Sequence, residues 1–145
     1  MIVVEHDTTY LSDPETVVAA LTDLAGYPAW QKDVLEVSGL DTAPVGIGTR
    51  LIQTRKVMGR RTEVALTVTD YAPGERITLR TDPGAQPAVT QAYAVGPDGA
   101  HGSRLTFRLE LDGVPKLAEH LVKAQLGKQV PDMFQRLGDL LSARG

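Results

Sequence analysis

The sequence predicts an α+β fold in which a curved antiparallel β-sheet wraps around a long C-terminal helix, with two short helices after the first strand. Three observations predict this arrangement. Helix-start signals follow a short N-terminal strand, alternating strands separated by turn residues fill the middle of the chain, and the C-terminal segment carries one continuous apolar stripe. No linker, repeat or low-complexity segment divides the chain, so we expect a single domain over residues 1–145.

The first helix is predicted to begin close to Pro14, in one of two registers. In the first register, Ser12 caps the helix and Glu15 completes a capping box. In the second, Asp13 is the cap and Pro14 occupies the first helical position. Both registers place apolar residues at spacings of four and three on one helical face. These residues are Val17, Leu21 and Leu24.

The segment after this helix is predicted to leave regular helical geometry. The helix should end before Gly26, because Pro28 lacks an amide donor and restricts the conformation of Tyr27. Trp30 is therefore expected on a turn or on a second short helix, from which the chain crosses to the sheet.

From Thr49 onward the pattern is that of an antiparallel meander. The predicted strands lie near residues 49–58, 61–71, 75–82, 88–95 and 103–111, with turn signals at Gly59, Pro73-Gly74, Pro83-Gly84 and Gly96-Pro97-Asp98-Gly99. Apolar and polar residues alternate strictly in the last of these strands. One face of the sheet is therefore apolar and needs a cover.

The cover is predicted to be the C-terminal helix. Its apolar stripe consists of Val122, Leu126, Val130, Met133, Leu137 and Leu140. The ring of Pro131 meets the carbonyl of Gly127 four residues earlier, which predicts a kink between these two residues. Before the kink, Leu117 and Leu121 are expected to add a second apolar edge.

The hairpin around Gly59 decides which side chains of its two strands face the helix. A two-residue turn at Gly59-Arg60 sets the register. The predicted opposite pairs are Arg55 with Val64, Gln53 with Leu66, Leu51 with Val68 and Lys56 with Glu63. Gln53 and Arg55 then share the apolar, inner face. A turn shifted by two residues keeps this facing, whereas a three-residue turn reverses it.

Side-chain alternation along the strand near 88–95 groups Val89, Gln91, Tyr93 and Val95, and we expect this bulkier set to face the helix. The predicted cavity is then mostly aliphatic and holds a few polar groups, which is the usual composition of a small-molecule site. The candidate ligand-binding residues are Trp30, Gln53, Arg55, Leu66, Gln91, Tyr93, Phe107 and Phe134.

The candidate catalytic residues are Arg55 and Tyr93 from this set, together with His120 near the start of the C-terminal helix. A buried Arg55 requires a carboxylate partner, water, or an anionic or enolate-bearing ligand, unless it reaches solvent at the hairpin end. Tyr93 is either a proton donor to a ligand carbonyl or a core aromatic residue. His120 is either an acid or base at the pocket mouth or a surface histidine. Trp30 either stacks on a ligand or packs in the core.

Composition excludes several classes of site. The chain has no cysteine, which excludes disulfides, thiolate nucleophiles and cysteine-based metal sites. The three histidines have no metal-ligand spacing, and Gly46-Ile47-Gly48 is not a dinucleotide fingerprint because Leu51 occupies the third glycine position. We expect neither a metal nor a cofactor.

Charge and hydropathy bear on the partners. The net charge of -3 gives no general attraction to nucleic acid or membranes. The hairpin collects five basic residues, which fit either a phosphate-bearing partner or a solvated tip: Arg50, Arg55, Lys56, Arg60 and Arg61. Aromatic residues are not interleaved with them, so nucleic-acid binding is not expected.

Without a long apolar run or a basic leader, we expect no membrane insertion and a cytoplasmic location. The oligomeric state stays open, with a homodimer among the alternatives.

Several segments together resemble the START/polyketide-cyclase (SRPBCC) superfamily, which has the helix-grip fold. The segments that carry the resemblance are Asp13-Pro14-Glu15, Asp23 to Trp30, Gly46-Ile47-Gly48-Thr49, Gly102-Ser103-Arg104-Leu105 and the final helix. The resemblance covers essentially the whole chain. It implies a cavity for a small hydrophobic or aromatic, polyketide-like ligand between the sheet and the C-terminal helix.

The resemblance leaves the function open among three classes, since one fold hosts many functions. The protein is a cyclase or dehydratase acting on its ligand, a non-catalytic carrier of a lipid or metabolite, or an interaction protein that acts through its surface. Members of the aromatase type are described as using a few Arg, Tyr and His residues, and the candidates here are of those types.

Overall fold

The computed structural model describes residues 1–57 and 59–144. The elements, in chain order, are β1 (Ile2–Tyr10), α1 (Pro14–Thr22), a 3₁₀ helix (Leu24–Ala29), β2 (Val34–Ser38), β3 (Arg50–Val57), β4 (Arg60–Ala72), β5 (Arg76–Thr81), β6 (Ala88–Asp98), β7 (Gly102–Asp112) and α2 (Lys116–Arg144). The strands form one antiparallel sheet in the order β1-β7-β6-β5-β4-β3-β2. The predicted α+β helix-grip fold, a curved sheet around a long C-terminal helix, is confirmed.

The start of α1 follows the second of the two predicted registers. Asp13 is the N-cap, its carboxylate accepts a hydrogen bond from the Thr16 amide at 2.8 Å, and Pro14 is the first helical residue. The apolar stripe of the helix is buried as predicted. The following 3₁₀ helix contains Pro28 and is capped at its C-terminus by Trp30, so the second short helix is present.

The β3–β4 hairpin closes earlier than predicted. Val57 pairs with Arg60 and Gln53 lies opposite Val64, a shift of two residues from the predicted pairing. The predicted pair of Lys56 with Glu63 is therefore wrong. Because side chains alternate with a period of two, the shift preserves the facing, and Gln53 still shares the inner face with Val64. Met58, which ends the predicted first strand of this hairpin, lies outside the described residues.

Strand β2 is absent from the sequence prediction, which has the sheet begin again at Thr49. It is only five residues long, and a bulge between Val34 and Glu36 breaks its alternation. It forms the edge of the sheet beside β3. The carbonyl of Asp33, just before β2, accepts a hydrogen bond from the Lys56 amide at 2.8 Å. This pairing places the Asp33 side chain beside Arg55 of β3.

The C-terminal part of α2 covers the apolar face of the sheet. Its buried residues are Val130, Phe134, Leu137 and Leu141. The hydroxyl of Tyr10 donates to the Phe134 carbonyl at 2.8 Å and ties β1 to the helix. The helix continues through Pro131, and the kink stays a prediction. The N-terminal part of α2 buries much less of its surface, which leaves space between it and the sheet.

The predicted second apolar edge on α2 is wrong. Leu117 is fully exposed and Leu121 is more than half exposed. Leu121 precedes Val122 by a turn of about 100° around the helix axis, so its side chain lies beside the covered stripe and reaches solvent.

Candidate functional site

A cavity of about 400 Å³ lies between the sheet and the N-terminal part of α2. Strands β4, β6 and β7 supply its floor, α2 supplies its roof, and the segment before β6 lies at its rim. Much of the wall is apolar, including Val64, Val89, Phe107, Leu109, Val122 and Met133. The cavity exists because the helix meets the sheet closely only in its C-terminal part.

One wall of the cavity is polar and centres on Arg55. Its Nε and one terminal nitrogen donate to the same Asp33 carboxylate oxygen at 3.2 and 2.8 Å. The same terminal nitrogen donates to Gln31 Oε1 at 3.2 Å, and the other donates to Gln53 Oε1 at 2.9 Å. All but one of the guanidinium N–H donors are thus used by described residues. Arg55 is a paired cation held in a fixed position.

Gln31 joins this ion pair to the buried tyrosines. Its Nε2 donates to the Tyr93 hydroxyl at 3.2 Å, while the Tyr27 hydroxyl donates to the Leu21 carbonyl at 2.7 Å. Burial raises the pKa of Tyr93 to about 12. Burial, followed by the adjacent Tyr93 hydroxyl, raises the pKa of Tyr27 well above its usual value. Tyr93 is therefore a neutral phenol at physiological pH, able to donate a proton but not to accept one as a phenolate.

Gln91 presents an amide group to the same cavity. The residue is only 4% exposed, and its Oε1 is buried with no described residue donating to it. A buried acceptor without a partner costs free energy. Because this oxygen has almost no accessible surface, a ligand would contact it only after the Gln91 side chain moved.

The structure brings four of the predicted site residues to the cavity and places the others elsewhere. Arg55, Gln91, Tyr93 and Phe107 line it. The remaining predicted ligand-binding residues are buried behind its wall: Trp30, Gln53, Leu66 and Phe134. Gln53 still contributes indirectly, because it holds the Arg55 guanidinium.

Trp30 packs in an aromatic cluster instead of facing the cavity. Its ring lies 4.9 Å from that of Tyr27 and 5.9 Å from that of Phe134, measured between centroids. The rings of Trp30 and Tyr93 meet edge to face, with 6.3 Å between their centroids. These contacts fix the position of Tyr93, so Trp30 supports the cavity wall from behind.

His120 is exposed and is not brought to the cavity. It lies two residues before Val122, which does line the cavity, and two residues correspond to about 200° around a helix. The His120 side chain therefore projects from the opposite side of α2, and we leave it out of the site.

Two residues of the polar wall are missing from the sequence prediction, Gln31 and Asp33. Both belong to the short segment between Trp30 and β2, which carries no periodic signal. The signal that points to Asp33 is indirect: a buried Arg55 needs a carboxylate, and a neighbouring strand can supply one. Without β2 there is no reason to place this segment beside β3.

The polar side chains of the site can form hydrogen bonds with a ligand. Among residues 1–57 and 59–144 no group of three or more His, Asp or Glu side chains has the arrangement of a metal site. Of the helices in the part of the chain that the structure describes, none is both long and apolar enough to cross a membrane.

Comparison with known proteins places the chain in a family. The sequence profile of the family described as polyketide cyclase / dehydrase and lipid transport matches residues 1–142. No curated protein matches the sequence. A START superfamily protein from Mycobacterium smegmatis is similar in structure, with a TM-score of 0.83 at 15% identity and 99% of each chain covered.

Two other solved structures are similar. The Zhui aromatase/cyclase from a Streptomyces species has a TM-score of 0.82 at 15% identity, over 99% of this chain and 94% of that one. A protein from Thermus thermophilus has a TM-score of 0.82 at 19% identity, over 99% of both chains. Similarity at these identities shows the fold alone. With the family profile matching nearly its whole length, the chain belongs to the polyketide cyclase / dehydrase and lipid transport family.

Proposed function

We propose that the protein binds a small hydrophobic or aromatic, polyketide-like molecule in the cavity between the sheet and α2. The observation that carries the proposal is the cavity itself, about 400 Å³ with a largely apolar wall and one polar side. Ligand pockets of roughly 300–1,000 Å³ with a few convergent polar groups are typical of small-molecule sites. The family match supports the same class of ligand.

The polar wall supports the orientation of such a ligand. Gln91 and Tyr93 lie on one strand and line the same cavity, and Gln31 joins Arg55 to Tyr93. The apolar body of a ligand would then contact the aliphatic and aromatic wall, and its carbonyl or hydroxyl groups would meet these three residues. A protein that acts only through its surface would have no need of a cavity. The cavity therefore favours ligand binding over that alternative.

Native mass spectrometry of the freshly purified protein, compared with its denatured mass, tests the proposal. We expect an added mass that is lost on denaturation and that proves to be a small hydrophobic or aromatic compound. Uncharged lipids and aromatic polyketides added to the purified protein should also raise its melting temperature. If no ligand is released and no member of such a panel shifts the melting temperature, the proposal is wrong.

Catalysis of ligand cyclisation or dehydration is the second candidate, and the neutral phenol of Tyr93 favours it. Tyr93 lines the cavity and keeps its proton at neutral pH, so it is available to donate to a leaving hydroxyl, but a pKa of about 12 makes it a weaker acid than an exposed tyrosine. Arg55 is less suited to stabilise an enolate, because Asp33 already neutralises it. The paired Arg55 makes binding the function that the geometry supports best.

The Tyr93→Phe variant separates the two candidates, since it removes only the hydroxyl. If the protein is a catalyst, turnover of a poly-carbonyl substrate should fall about 100-fold or more while the affinity for the product changes only a few-fold. Unchanged turnover in this variant would eliminate Tyr93 as the proton donor.

A further inference from the structure

We propose that Asp33 makes the cavity selective for uncharged ligands, because it neutralises the Arg55 cation in the interior of the cavity. The inference rests on the proposed ligand-binding function and deepens it by naming the ligand class: neutral molecules bearing carbonyl, hydroxyl or amide groups, to the exclusion of carboxylates. Asp33 is then a residue that determines specificity.

The interior of the cavity contains an ion pair. Five of the described residues that line it are charged: Asp33, Arg55, Lys56, Glu63 and Asp82. The last three are exposed at the rim, and Asp82 is paired there with Arg50 at 3.0 Å. The Arg55 and Asp33 side chains are only 16% and 26% exposed. Among the described residues, the partly buried charges of the cavity therefore sum to zero.

The geometry leaves Arg55 little capacity to accept an anionic ligand. Asp33 takes both its Nε and a terminal nitrogen, and Gln31 and Gln53 take further donors. Bidentate binding of a carboxylate needs a free edge of the guanidinium. That edge is already occupied, so a ligand carboxylate would have to displace Asp33 and would meet its negative charge.

The other polar groups in the interior suit uncharged ligands. Gln91 carries an uncharged amide, and Tyr93 is a neutral phenol. Both form hydrogen bonds with carbonyl and hydroxyl groups but carry no positive charge. A carboxylate entering the cavity would lose its hydration without gaining a countercharge, which is unfavourable.

The rim differs from the interior, and the test must separate the two. Three lysines surround a shallow depression next to the cavity mouth: Lys32, Lys56 and Lys128. They can attract an anion to the surface, and Asp33 borders the same depression. Displacement of a neutral probe from the cavity separates the two, because an anion held only at the depression does not displace the probe.

The experiment measures the affinities of 2-naphthamide and 2-naphthoate, which share one ring system and nearly one size but differ in charge at neutral pH. Each compound displaces the neutral fluorescent probe N-phenyl-1-naphthylamine. In the unmodified protein we expect the amide to bind about 10-fold or more tightly than the carboxylate. In Asp33→Asn the ratio should move towards naphthoate by about 10-fold or more, because Arg55 is left unneutralised.

The matched control is Glu63→Gln, which removes a carboxylate from the exposed rim. We expect it to change the ratio by less than about two-fold, since exposed charges are screened by solvent and salt. An equal change in Glu63→Gln and Asp33→Asn would overturn the inference, because selectivity would then follow the overall charge of the mouth.

Equal affinities in the unmodified protein, or a ratio that Asp33→Asn leaves unchanged, would also overturn the inference. If Asp33→Asn does not fold, Arg55→Met replaces it. That variant leaves Asp33 unpaired, so the ratio must move further against naphthoate, and an unchanged ratio counts against the inference. Failure of the proposed function looks different, because neither the probe nor either compound would then bind to the unmodified protein.

Discussion

At the scale of single residues, the ion pair of Arg55 and Asp33 is the feature that organises the polar wall. Its members are too buried to behave as a solvated surface pair and too exposed to carry the full desolvation cost of a core pair. Gln31 and Gln53 complete the hydrogen bonding of the guanidinium. The pair therefore contributes to stability as well as to the character of the cavity.

A double-mutant cycle tests this contribution. Arg55→Met and Asp33→Asn should each destabilise the protein, and their combination should cost less than the sum of the two. We expect a coupling free energy of about 1–2 kcal/mol, between the values for exposed and buried pairs. Urea denaturation of the four proteins measures it. A coupling below about 0.3 kcal/mol would mean that the pair does not contribute to stability.

Single residues also show how far the sequence predicts the site. Side chains alternate between the two faces of β6, so Gln91 and Tyr93 share a face with Val89 and Val95. The bulk of this set predicts that it faces inward. Tyr93 and Trp30 are both aromatic and both buried, and no pattern in the sequence tells which one meets the cavity. The role of Asp33 depends on a strand pairing between distant segments, which local patterns do not encode.

At the scale of elements, α2 combines two functions along its length. Its C-terminal part closes the core, and its N-terminal part roofs the cavity. The apolar stripe predicts the covered face but not the change from close packing to open space. That change depends on how far the sheet curves away from the helix, which is a property of the whole sheet.

Two glycines in α2 provide a matched test of its packing. Gly127 lies in the exposed N-terminal part, where an added Cβ meets no atom within 4 Å. Gly127→Ala should raise the free energy of unfolding by about 0.5–1 kcal/mol, as expected for glycine replaced by alanine inside a helix.

Gly138→Ala is the control for this prediction. An added Cβ there would lie 3.1 Å from a ring carbon of Tyr10, whose hydroxyl is held by the Phe134 carbonyl. We expect this variant to gain less stability than Gly127→Ala or to lose some, because the Tyr10 ring cannot move away freely. Chemical denaturation of both variants checks the order, and equal stabilisation would contradict the packing described for Tyr10.

The strands show which element boundaries a sequence reveals. Turn residues and alternation predict β3 to β7 to within a few residues, with β6 extending to Asp98 and β7 starting at Gly102. The two-residue error in the β3–β4 register leaves the inner face unchanged, because facing depends only on parity. Strand β2 is too short and irregular to be recognised, and its contribution is the placement of Asp33.

At the scale of the whole molecule, the buried tyrosines predict how stability depends on pH. Burial raises the pKa values of Tyr10, Tyr27 and Tyr93 in the folded protein, that of Tyr93 to about 12. The unfolded chain ionises them near a pH of about 10, so the folded state holds more protons above that pH. Their contribution to stability is complete below about pH 10 and falls as the pH rises above it, and the part that comes from Tyr93 is lost by about pH 12.

Urea denaturation at several values between about pH 9 and about pH 11.5 measures this loss. Each tyrosine should contribute a slope of up to about 1.4 kcal/mol per pH unit. Tyr93→Phe should therefore lower the slope by up to about that amount, whatever its effect on the stability at neutral pH. An identical slope in the two proteins would show that Tyr93 ionises as freely in the folded state as in the unfolded chain.

The claim that a ligand enters the space beneath α2 is tested by filling that space. Val122→Trp places an indole in the cavity, whereas Leu117→Trp adds the same group to a fully exposed position on the same helix. Fluorescence titration with N-phenyl-1-naphthylamine should show one binding site in the unmodified protein and in Leu117→Trp, and at least about 10-fold weaker binding in Val122→Trp. Equal binding to all three proteins would show that the probe binds outside the cavity and would contradict the proposed function.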